Sequence, residues 1–157
     1  MTDMLSTGFV HRRNNGESFA DIFNNGVIEI RSGVQPASAD AAVTGTLLAR
    51  ITRNGGLWVA GSPSNGLQFV ASGRFVAKHP DHVWRLVGIA NGIAGYYRLL
   101  PNEAYDGLPS TVAARIDGAI GQADASGNFQ MFMPSLSITA SLNEVVPHFW
   151  RGTPPLV

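Results

Sequence analysis

Few side chains in this sequence stand in patterns that catalytic or metal chemistry uses. His79 and His82 flank Pro80 and Asp81, and two imidazoles with a neighbouring carboxylate are metal-ligating types. Pro80 opposes the helical turn that would aim both rings at one ion, and no motif supplies a third ligand. The group reads more simply as a solvated turn. His11 and His148 read as surface or edge histidines. Asp117 in Arg-Ile-Asp-Gly and Asp124 in Gly-Gln-Ala-Asp-Ala-Ser-Gly are the acids that general acid–base chemistry would draw on. Asp124 has the neighbours of a hairpin loop, and Arg115 is placed to pair with Asp117 on one strand face, so both read as structural. No Gly-x-Ser-x-Gly elbow, phosphate loop or dinucleotide fingerprint occurs. Trp58, Trp84, Tyr96, Tyr97 and Trp150 could line a sugar-binding platform; the competing reading makes them core and interface anchors. The expectation is a protein that is not an enzyme and holds no metal or cofactor.

Composition narrows the class further. Among 157 residues there are 18 glycines and 9 prolines, above the roughly 12% combined share of an average chain. Such an excess of turn-formers suits many short strands. Charged residues make up 14%, against roughly 25% in a typical soluble domain. A surface this weakly charged is either covered in part by neighbouring subunits or rich in Ser, Thr and Asn. Eleven Lys and Arg balance eleven Asp and Glu, so the basic footprint that neutralises nucleic-acid phosphates is missing. With no cysteine, disulfides and thiolate metal sites are excluded and the redox compartment stays open. No apolar run is long enough to span a membrane, and the first residues lack a secretion-signal pattern. Synthesis inside a cell is expected.

The elements that must carry these residues follow from periodicity. Residues 1–16 read as a flexible, polar arm with little core of its own. Ser18 is placed to cap a short helix over Phe19–Phe23, with Phe19, Ile22 and Phe23 on one face, and Asn24-Asn25-Gly26 to stop it. Ile28 and Ile30 alternate with Glu29 and Arg31, and Leu47, Ala49 and Ile51 with Leu48 and Arg50, which predicts two strands. A hairpin is expected across Ser72-Gly73, and a strand pair joining Val83–Val87 to Ile93–Leu100 across Asn91-Gly92. Val112–Ile120 reads as a strand with Val112, Ala114, Ile116 and Ile120 on one face. Phe129, Met131 and Met133 form another. The clearest alternation is Leu136, Ile138, Ala140 and Leu142 against Ser137, Thr139, Ser141 and Asn143. A last strand is expected over Val145–Trp150. Together these predict a single-domain, all-β sandwich of jelly-roll type over residues 17–151, with one short N-terminal helix and a tail at 152–157.

One block carries a resemblance. The run from Phe19 to Thr52 places a hydrophobic–Glu–hydrophobic strand before Ser-Gly-x-Gln-Pro-Ala, then a small-residue connector and Thr-Gly-Thr-Leu-Leu. It resembles the N-terminal half of a family of small tailed-bacteriophage virion proteins, whose members resemble capsid decoration (cement) proteins. Later segments, VWRLVGIANGIAGYYRLL, RIDGAIG and FQMFMPSLSITA, occur in the family's order, so the likeness spans about Phe19 to Trp150. It implies a jelly-roll-like sandwich without cofactor, docked on the major capsid protein at the outer shell and self-associating as a dimer or higher oligomer. Localisation would be the virion, after synthesis in the host cytoplasm. The ending HFWRGTPPLV and the 16-residue N-terminal extension depart from the family. Phe9, Val10, Arg12, Arg13, Phe149 and Trp150 are therefore the expected interface residues, and the alternative for Phe149 and Trp150 is that they close the sandwich. A tail or baseplate component with host-receptor contact and a carbohydrate-binding module are the competing functional readings.

Overall fold

The computed structural model describes residues 3–123 and 130–152, with Trp150 and Gly152 by backbone alone. In chain order it contains β1 (Met4–Leu5), α1 (Thr7–Asn14), α2 (Phe19–Phe23), β2 (Val27–Ser32), β3 (Leu47–Arg53), β4 (Phe69–Ser72) and β5 (Phe75–Lys78). These are followed by β6 (Trp84–Gly88), β7 (Gly92–Leu100), β8 (Ile116–Gln122), β9 (Met131–Met133), β10 (Ser137–Ile138), β11 (Asn143–Val146) and β12 (Trp150–Gly152). The protein is mostly β.

Hydrophobic alternation places the strands. Ile28 and Ile30 of β2 stand opposite Ile51 and Ala49 of β3 and opposite Leu99 and Tyr97 of β7, forming one apolar face. The large sheet runs β1-β8-β7-β2-β3-β6-β11, with β10 added to β7 and β9 to β8. Within it, β7 lies beside β2 and β6 beside β3, so β2 and β3 form the centre of the sheet. A second sheet, β12-β5-β4, supplies Phe69 to the same core.

Both helices are capped by serine. The Ser18 hydroxyl accepts from the Asp21 amide, and the Asp21 carboxylate accepts from the Ser18 amide, completing a capping box. Ser6 accepts from the Phe9 amide at the start of α1. Each helix turns its aromatic face inward. Ring centroids lie 5.4 Å apart for Phe9–Phe23, 4.9 Å for Phe19–Phe23, 5.2 Å for Phe19–Phe69 and 5.3 Å for Phe69–Trp84. This chain of rings joins both helices to both sheets, and each buried ring stabilises the fold by about 1.5–3 kcal/mol.

Several expectations need correction. The segment read as an arm carries β1 and α1, and Phe9 is buried in the core. There are thus two helices rather than one. The sequence hides α1 because its apolar residues are few, and Gly8 is needed where its backbone packs on Val112: an added Cβ would stand 2.1 Å from the Val112 carbonyl oxygen. β6 and β7 do not pair across Asn91-Gly92; β3 and β2 lie between them. β9 runs parallel to β8, so the two are not a hairpin, and Phe129 lies outside the described residues. Val112 is 83% exposed and precedes the strand it was expected to join. The alternation over 136–143 yields only the two-residue β10, because the chain turns at Thr139, whose carbonyl accepts from the Leu142 amide. Val145–Trp150 is interrupted: β11 ends before Pro147, and β12 pairs with β5 in the other sheet.

Candidate functional site

Two regions concentrate polar chemistry. The first lies on the face of the large sheet opposite the aromatic core. Asp117 of β8, Arg98 of β7, Glu29 of β2 and Arg50 of β3 stand directly opposite one another on successive strands. Arg98 and Asp117 are both fully buried and joined by two 2.7 Å hydrogen bonds, Nε to Oδ1 and Nη2 to Oδ2. Glu29, 1% exposed, accepts from Arg31 at 3.2 Å and from Arg50 at 3.1 and 3.0 Å. Burial opposes charge on Arg98, but the Asp117 carboxylate outweighs it and raises the guanidinium pKa above its ordinary value. Burial pushes the Asp117 carboxyl above the usual carboxylate range, against the pull of Arg98. The row is internally matched, and it fixes register: a one-residue slip of any strand would set these charges against the apolar core.

Loops cover this face. Arg98 Nη1 donates to the Ala41 carbonyl in the connector between β2 and β3. Tyr105 packs with Val27, Trp58 and Leu100, and the Arg115 guanidinium lies 5.3 Å from the centre of the Tyr105 ring. Arg115 therefore serves Tyr105, and Asp117 is held by Arg98 instead of the expected Arg115. The connector is latched by the residues that carried the resemblance. Ser32 Oγ accepts from the Thr46 amide, the Tyr96 hydroxyl both accepts from the Thr44 amide and donates to the Thr44 carbonyl, and Thr44 Oγ1 donates to the Val34 carbonyl. Gly45 has φ +65°, and a Cβ there would fall 2.0 Å from the Ser32 carbonyl oxygen. The Ser-Gly and Thr-Gly-Thr signature is a structural clasp.

The second region is a groove of about 370 Å³ between the helices and the small sheet. Phe9 and Phe19 form its floor, Leu5 and Phe75 stand at its edges with 43% and 45% exposure, and Arg13, Arg74 and Arg151 line it. No carboxylate is among its lining residues. Arg151 donates to Asp3, which also accepts from the Tyr97 hydroxyl at 2.7 Å; burial first, then Asp3, holds that hydroxyl's pKa well above its ordinary value. The Arg151 guanidinium sits 6.0 Å from the Phe19 ring centre, within reach of a cation–π contact. Arg13, in the last turn of α1, is exposed and makes one long contact, 3.4 Å, to the Glu17 carbonyl.

The expected interface residues divide accordingly. Phe9 and Arg13 meet at the groove. Val10 is 41% exposed beside them on α1. Arg12 is engaged within the chain, 2.6 Å from Glu17 and 2.5 Å from Glu103. Phe149 packs 5.3 Å from both Phe69 and Trp84, half-buried against the core. Trp150 pairs with Ala77 through its backbone, and its side chain lies outside the described residues. The four described platform aromatics, Trp58, Trp84, Tyr96 and Tyr97, are all buried and present no common surface. His79 and His82 stack at 4.2 Å; among the described residues no three His, Asp or Glu side chains are grouped to hold a metal. Asp124 lies outside the described residues. Sequence reasoning missed Glu29, Arg50 and Arg98 as a row, since cross-strand register is not local information. It also missed Phe75 and Arg151. Comparison with protein-family models, curated proteins and solved structures finds no match for this chain.

Proposed function

We propose that this chain is a non-enzymatic structural protein of a tailed-bacteriophage virion, a decoration protein that binds the major capsid protein and stabilises the head. The supporting observation is the groove at the helical end: an aromatic floor, exposed apolar edges and arginines, built on a rigid aromatic core. Such a surface suits docking on protein. The resemblance supports the same reading, and its signature residues act as a clasp within the chain, which leaves contact to other surfaces. In this reading the two sheets form a jelly-roll-like sandwich that holds the groove still, and self-association on the shell sets its copy number.

The test is direct. Purified protein mixed with undecorated capsids should co-sediment at a fixed stoichiometry and raise their melting temperature. Failure to bind heads would overturn the proposal, and immunogold label at the tail tip would move it to the tail.

A further inference from the structure

We infer that Asn54 is a self-modification site: its carboxamide closes onto the Gly55 amide and opens to aspartate or isoaspartate, faster than at any other Asn-Gly pair of the folded chain. The site shares no residue with the groove and does not depend on the decoration reading. The chemistry needs only water. The Gly55 nitrogen gives up its proton and attacks Cγ of Asn54. A C–N bond forms, the Cγ–Nδ2 bond breaks, and Nδ2 leaves as ammonia with the transferred proton. Water then opens the cyclic imide at either carbonyl, giving aspartate or, with the main chain routed through the side chain, isoaspartate. Glycine at the attacking position favours closure, because it has no Cβ to obstruct the approach and its backbone is permissive.

Asn-Gly pairs begin at Asn15, Asn25, Asn54, Asn65 and Asn91, and the fold ties down all but one. Asn15 Nδ2 donates to the His11 carbonyl at 3.1 Å, and Asn65 Nδ2 to the Leu57 carbonyl at 2.8 Å. Asn25 Oδ1 accepts from Gln68 Nε2 at 2.6 Å, and Asn91 Oδ1 from the Ala140 amide at 2.9 Å. The Gly16 and Gly26 amides are engaged as well, at 3.1 and 2.9 Å from the Arg13 and Phe23 carbonyls. Asn54 differs. It is exposed, and its carboxamide makes no hydrogen bond among the described residues. The Gly55 amide reaches the Thr52 carbonyl only at 3.4 Å, beyond the roughly 2.7–3.2 Å of an ordinary bond. Both residues stand in the tight turn after β3, with φ +56° and +70°. Only here are the attacked carboxamide and the attacking amide both loosely held. Conversion places a carboxylate beside Arg53 and takes the neutral chain one unit negative. Isoaspartate also lengthens the backbone next to the Asn54 amide, which donates to the Val83 carbonyl at 2.7 Å.

The experiment incubates the full chain in mildly alkaline buffer and samples it over time. Each sample is digested with pepsin in acid, where closure is slow, and the amide-to-acid mass gain is assigned residue by residue by tandem mass spectrometry. In the folded chain Asn54 should convert about tenfold or more faster than any other pair, since each of the others must first give up a hydrogen bond. The same incubation in urea should draw all the rates together, because the selection lies in the fold. Asn54→Gly keeps a residue suited to the left-handed turn and removes the carboxamide. Its fastest phase of mass gain should vanish while the melting temperature stays near that of the parent. A folded chain in which another asparagine leads, in which all convert alike, or in which Asn54 stays intact would overturn the inference. So would a fast phase that persists in Asn54→Gly, or an Asn54 lead that survives unchanged in urea.

Discussion

The charged row on one face of the large sheet and the groove at the helical end both use arginine, and they differ in how deeply it is buried. In the row each guanidinium meets a carboxylate: Arg98 holds Asp117, while Arg31 and Arg50 hold Glu29. The carboxylates are nearly inaccessible, and loops close over the sheet. Around the groove, Arg151 is held by Asp3, while Arg13 is exposed and makes a long contact to the Glu17 carbonyl. Matched and buried charge specifies the fold; the groove is the surface proposed to meet the capsid. The difference predicts that damage to the row is read as lost stability and damage to the groove as lost binding.

The largest effect should come from the row. Asp117→Asn leaves the Arg98 guanidinium buried without its counter-charge, and about 3–5 kcal/mol of stability should be lost in urea unfolding. The double variant Arg98→Met, Asp117→Leu should recover much of that loss, because it removes both charges together. A full loss in the double variant would show that the row does more than balance itself. Next comes the connector that roofs this face. Gly45→Ala should cost about 1–2 kcal/mol from its left-handed backbone alone, and more from the clash with Ser32, as a lowered melting temperature.

At the helical end, Ser18→Ala removes the capping box and should cost about 1 kcal/mol. Arg13→Gln should change stability by no more than about 0.5 kcal/mol and still weaken binding to capsids. Equal damage to both would erase the contrast between the regions. The smallest effect is a pH dependence away from both. Burial, followed by repulsion from Arg53, holds the His82 imidazole below its ordinary 6.5. A depressed folded-state pKa contributes stability that is present above 6.5 and lost as the pH falls through the lower folded value. Thermal melts from pH 7.5 down to 5 should show this acid-side loss, and His82→Gln should flatten it.

Local pattern and long-range pairing were not equally legible. The α2 helix, β2, β3 and the β4–β5 hairpin could be read because each rests on neighbours in sequence: Ser18 with Asp21, Ile28 with Ile30, and a tight two-residue turn, which falls at Gly73-Arg74, one residue beyond the expected Ser72-Gly73. Alternation over Leu136–Asn143 was the strongest local signal and gave only the two-residue β10. Its course is set by distant groups: the Asn91 side chain accepts from the Ala140 amide, and a Cβ on Gly88 would fall 1.9 Å from the Thr139 carbonyl oxygen. The parallel placement of β9 and the separation of β6 from β7 are likewise decided by pairing between remote strands. The same limit governed the sites. Phe9 and Arg13 could be picked from the chain's end, but the groove needs Phe75 and Arg151, which only the fold brings to them. Arg115 was the nearest basic residue to Asp117 in sequence, and Arg98 is nearest across the sheet.

Hydrogen–deuterium exchange of the protein free and bound to capsids tests the central contrast most directly. The expected result is new protection confined to the groove segments, residues 5–13 and 71–76, with the row strands over residues 98–100 and 116–119 unchanged between the two states. Protection over the connector and the loops that roof the charged row, with the groove segments exchanging as in the free protein, would contradict it.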